Sequence, residues 1–146
     1  MKKFLLALTL FCSVFAATAF ASDIKVSSRV LTSFNSSFRD AEKVEWSFDN
    51  NMYQAKFIQD EQQFTAYFDT DGKMLVVARF VAVNQLPSGL KKSLNEMAGD
   101  DIISFVFELT DEEGVHFYAT LERDGKKEMF RSISSKKWET YNKLKK

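Results

Sequence analysis

The sequence predicts an α+β fold: a unit made of a helix followed by an antiparallel meander, present twice, with the helices packed on one face of the sheet. Three observations predict it. The stretch FTAYFDTDGK, Phe64 to Lys73, returns 53 residues later as FYATLERDGK, Phe117 to Lys126, with five of the ten positions identical. Around both copies apolar side chains alternate with polar ones, the period of a strand with one buried face. A stretch with helical spacing precedes each copy.

From the N-terminus, Lys2 and Lys3 stand before an apolar run from Phe4 to Ala17, followed by Ala19-Phe20-Ala21. The run is too short for a membrane span and ends in small residues suited to cleavage, so residues 1–21 read as an export signal. Phe11 before Cys12 is too large for lipoprotein processing. Residues 22–146 then form one domain of two half repeats, about 22–85 and 86–146. Cys12 is the one cysteine, so the exported chain has no disulfide, thiol nucleophile or thiolate ligand, and its stability rests on packing. The whole chain carries 20 basic and 20 acidic residues, and loss of Lys2 and Lys3 leaves a slight acidic excess. That balance argues against nucleic-acid binding. No second apolar stretch is long enough to span a bilayer.

In the first half, Val30, Leu31, Phe34 and Phe38 fall on one side of a helix. Alternation then places Trp46, Phe48, Tyr53, Ala55, Phe57, Phe64, Ala66 and Phe68 on one sheet face, with Trp46, Tyr53 and Phe57 as core. The polar links Asp49–Asn51 and Asp60–Gln62 suit hairpins, and Asp71-Gly72 makes the next turn before a longer strand in KMLVVARFVAV. In the second half, Pro87 opens a helix carrying Leu90, Leu94 and Met97, which Gly99 ends. Ile103, Phe105, Phe107 and Leu109 then face one way, and after a turn at Asp111 to Gly114 the buried face continues through Val115, Phe117, Ala119 and Leu121. The last segment, SSKKWETYNKLKK, reads as a helix starting at Ser134 or Ser135. Trp138, Tyr141 and Leu144 lie three apart in it, and Lys136, Lys137, Lys143, Lys145 and Lys146 make it basic.

The chemistry-bearing residues are few. His116 is the single histidine, and the chain has no Gly-x-Ser-x-Gly turn, so no catalytic residues are expected. With no further histidine or cysteine beside it, no metal is expected, and no cofactor. Asp69-x-Asp71-Gly72 opens like a calcium loop, but Phe80 stands where the bidentate glutamate belongs, so it reads as a turn. Asp111, Glu112 and Glu113 read as a hairpin tip able to enter a basic cleft of a partner. Alternation puts Gln54, Lys56, Thr65, Tyr67, His116, Tyr118 and Thr120 on the sheet face away from the helices. Tyrosines among polar groups suit an interface, so these seven and the acidic tip are the candidate partner-binding residues.

The pattern resembles the exported PepSY-like proteins whose fold is similar to the β-lactamase inhibitor protein. The resemblance rests on Trp46, on Tyr53-x-Ala55-x-Phe57, on Tyr67-Phe68-Asp69-x-Asp71-Gly72 and on Leu86-Pro87, in that order after an export signal; the second half lacks a tryptophan matching Trp46. It implies a small periplasmic or secreted, non-enzymatic binding module that meets a peptidase or another envelope protein or peptide. The alternative is an envelope-associated structural protein held to anionic surfaces by its basic C-terminal helix.

Overall fold

The computed structural model describes residues 24–141, so residues 1–21, read above as an export signal, and the tail from residue 142 onward lie outside the described residues. Helix α1 (Ser28–Ser37) leads into strands β1 (Glu42–Asp49), β2 (Met52–Gln59), β3 (Gln62–Asp69) and β4 (Met74–Phe80). A 3-10 turn (Val83–Gln85) and helix α2 (Ser88–Ala98) follow, then β5 (Ile102–Asp111), β6 (Gly114–Arg123), β7 (Lys126–Ser134) and β8 (Lys137–Thr140). The strands form one eight-stranded antiparallel sheet in the order β1 to β8. This corrects the expected α+β fold of duplicated helix-plus-meander units. The two α-helices among the described residues have only 10 and 11 residues, and those residues are mainly β. By contact the chain divides into two compact units, one running to Val77 and the other starting at Ala78.

In the first unit the Ser27 hydroxyl caps α1 by accepting from the Val30 amide at 3.3 Å. Phe38 ends the helix with its amide on the Phe34 carbonyl. Val30 and Phe34 press onto Ala55, Ala66, Phe57 and Phe68. The two alanines leave room for the Phe34 ring, which meets Trp46 and Phe57 edge-on, each at 5.1 Å. Leu31, expected on the buried side, is exposed. The hairpins turn on Asn50-Asn51 and Asp60-Glu61, all with positive φ, as two-residue turns matched to strand twist require. At the next turn the Asp69 carboxylate accepts from the amides of Asp71 and Lys73 at 3.0 and 2.9 Å. That carboxylate serves the backbone, which is the turn reading made physical.

In the second unit Leu90, Leu94 and Ala98 bury one side of α2, and Gly99 closes the helix at φ 55°. Leu94 and Ala98 pack with Leu86, Val81, Val106, Ala119 and Leu121. Here the strand pattern departs from expectation. Ile103 pairs with Leu121 but Phe105 pairs with Thr120, so one extra residue bulges between them. Past the bulge Val106 takes the helix-covered face, and Phe105, Phe107 and Leu109 turn to the other face with Thr120, Tyr118 and His116. Glu108 shares the face of Phe117, where Arg79 meets its two carboxylate oxygens at 3.2 and 2.9 Å. This bidentate pair lets a carboxylate sit half-buried beside the core.

The C-terminal segment is a second correction: residues 137–140 form strand β8 paired with β7, not a helix. Trp138 and Tyr141 are an odd number apart and serve opposite faces, so their threefold spacing carries no helix. The Trp138 side chain packs on the α2 core and its indole N–H donates to the Leu90 carbonyl at 3.2 Å. The Tyr141 ring instead meets Tyr118 edge-on at 5.4 Å.

Candidate functional site

The register does bring the first unit's candidates together. Gln54 sits opposite Tyr67, and Lys56 opposite Thr65. Their burial is the surprise: Tyr67 is 0% exposed, and Gln54 and Thr65 are buried as well. A polar row explains how they bear it. The Ser47 hydroxyl donates to the Gln54 carbonyl oxygen at 2.7 Å, and the Gln54 amide donates to the Tyr67 hydroxyl at 2.8 Å. Of the four, only Lys56 keeps appreciable accessible surface. Tyr67→Phe is expected to cost about 1–2 kcal/mol, because it removes the acceptor of a buried amide; urea unfolding of the variant measures it.

In the second unit Tyr118 and Thr120 are buried too, and His116 is half-buried. Tyr118 stacks on Phe107 with ring centroids 4.9 Å apart and planes 3° from parallel. Burial pushes its hydroxyl up to about 12, so it stays protonated at physiological pH. The tip residues Asp111 and Glu113 belong to the β5–β6 hairpin, where the Asp111 carboxylate accepts from the Glu113 amide at 2.8 Å. Glu112 is exposed beside them.

Asp111, Glu113 and His116 can bring one ligand atom each within 4.8 Å of one another. A cation is already among them: Arg131 Nη2 lies 3.6 Å from a Glu113 carboxylate oxygen and 3.1 Å from His116 Nε2. Since guanidinium only donates, Nε2 accepts and the imidazole proton resides on Nδ1. Two of the three donors are thus engaged by an arginine, while the Asp111 carboxylate holds the Glu113 amide.

What the sequence reading missed is apolar. On either side of the bulge, Ile102 and Phe105 share the face of Thr120 and Glu122, and they are 64% and 44% exposed. Phe80 approaches the Phe105 ring at 6.3 Å, and the Lys127 ammonium stands 5.8 Å from its centroid. Lys127 is also 3.6 Å from Glu122. The signal that could have found this patch is the adjacent pair Ile102-Ile103 before Ser104, since two neighbouring apolar residues break a period of two and mark a bulge. Elsewhere in this unit a recess of about 440 Å³ has Met97, Leu121 and Phe130 among its lining, and the Arg123–Asp101 ion pair, 2.7 Å long, at its edge.

No protein-family model and no curated protein matches the chain. Solved structures do. A BLIP-like protein from Bacteroides fragilis superposes with a TM-score of 0.75 at 18% identity, over 81% of this chain and 86% of that one. A provisionally periplasmic protein from Bacteroides eggerthii gives 0.70 at 13% identity, covering 80% and 90%. A DUF2874 family protein from Bacteroides ovatus gives 0.71 at 14% identity, covering 80% and 89%. At such identities the likeness is one of fold, and the fold is BLIP-like.

Proposed function

We propose that this BLIP-like fold serves as an exported, non-enzymatic binding module of the PepSY-like kind, working in the periplasm or outside the cell and contacting or inhibiting a peptidase or other envelope protein. The observation that carries this reading is the patch of Ile102, Phe105 and Phe80 on the second unit's strands. Exposed Ile102 and Phe105 with half-buried Phe80, beside a lysine and a glutamate, have the make-up of an interface centre with a polar rim. The earlier candidates keep reduced roles. Tyr118, Thr120, Gln54, Thr65 and Tyr67 stiffen the strands from within, while His116, Lys56 and the tip of Asp111, Glu112 and Glu113 stay within a partner's reach. Among the described residues His116 is engaged by Arg131. No helix among the described residues is long and apolar enough to cross a membrane.

The test compares the exported protein with Phe105→Glu, each immobilised and exposed to an envelope fraction. The expected result is a protein retained by the first and lost by the second, although both melt at the same temperature, since Phe105 is already part-exposed. The retained protein is then assayed for inhibition. Equal capture by both forms would remove Phe105 from the interface and sink the proposal.

A further inference from the structure

We infer that the outer edge of β1 is a strand-addition site for an extended basic peptide with apolar residues at alternate positions. In the sheet order β1 is terminal, and among the described residues it pairs with β2 alone. A terminal strand presents unpaired amides and carbonyls along its outer side, and a peptide can complete them. Proteins usually blunt such edges, and this one does so at one end only. Lys43 takes φ 51° and the register shifts between Glu42 and Glu45. From Glu45 to Asp49 the register with β2 is regular, which leaves a straight edge of five residues.

The two sides of that edge differ. Val44, Trp46 and Phe48 share the helix-covered side, where Phe48 is 42% exposed and lies on the Tyr53 ring at 4.6 Å. Glu45, Ser47 and Asp49 point to the other side and are exposed. An added strand lies about 4.8 Å away with the same alternation, so its apolar residues would extend the Trp46 and Phe48 row and its other residues would flank Glu45 and Asp49. Cross-strand pairing rewards opposite charge there, which selects lysine or arginine. A second copy of the chain is the wrong occupant, because it would set acidic residues against acidic ones.

The experiment is an amide-resolved NMR titration of the exported protein with a short capped peptide alternating lysine and valine, and with its glutamate–valine counterpart. Expected are saturable shifts confined to β1 and its neighbours with the lysine peptide, weaker at high salt, and none with the glutamate peptide. Glu45→Lys with Asp49→Lys should weaken the lysine peptide by about tenfold or more. Absence of saturable shifts from Glu45 to Asp49, or equal response to both peptides, overturns the inference. So do β1 shifts that follow protein concentration alone with a dimer in sedimentation, since a second copy then owns the edge. The selectivity of the wild-type protein decides the matter if the double variant misfolds. Phe105→Glu, in the other unit, leaves this binding unchanged.

Discussion

Gly72→Ala is expected to lower the melting temperature by about 10 °C, corresponding to a loss of about 2–4 kcal/mol. Two costs combine. Gly72 has φ 88°, a conformation that side chains resist. A Cβ built there would also stand 2.9 Å from the carbonyl carbon and oxygen of Arg29, in the first turn of α1. Backbone in a capped helix cannot give way as a flexible side chain would, so the turn or the helix must move. Gly72→Asn separates the two costs: asparagine tolerates positive φ but carries the same Cβ, and it should be nearly as damaging as alanine. Recovery of stability with asparagine would show that φ strain alone matters. The exposed Arg29–Asp71 contact, 3.3 Å long, joins the same two segments. Asp71→Ala should shift the melting curve very little, because an exposed pair contributes on the order of 0–1 kcal/mol.

Phe34→Ala is expected to cost about 3–5 kcal/mol, a large part of the 5–15 kcal/mol typical of a domain. Phe34 is 3% exposed, and its ring touches those of Phe38, Trp46, Phe57 and Phe68. Truncation opens a cavity walled by rigid rings that collapse poorly into it. Phe34→Leu, which keeps most of the volume, should cost far less. The chain has two tryptophans, Trp46 against Phe34 and Trp138 in the second unit's core. Urea unfolding followed in a Trp138→Phe background therefore reports on the ring cluster itself. A midpoint unchanged in Phe34→Ala would mean that α1 contributes little to holding the first unit.

Local pattern by itself determined the hairpins of the first unit, the ring core of Trp46, Phe57 and Phe68, and the turn at Asp69–Gly72. Each depends on residues close in sequence: paired turn residues, a period of two, an Asp followed by Gly. The same pattern also implied a BLIP-like fold through the order of its motifs. Tertiary structure alone decided three things. Whether Phe105, Phe107 and Leu109 or Val106 met α2 depended on one bulged residue, and both alternations look alike in the sequence; Val106 fits under the helix, and Arg79, 29 residues away from Glu108, makes the resulting carboxylate tolerable. The last strand won over a basic helix because Trp138 finds the Leu90 carbonyl, 48 residues distant. The face away from the helices, assigned to solvent by alternation, is largely buried at Tyr67 and Tyr118. Periodicity reports that two faces differ; what covers each face is settled by long-range contacts, which no local spacing encodes.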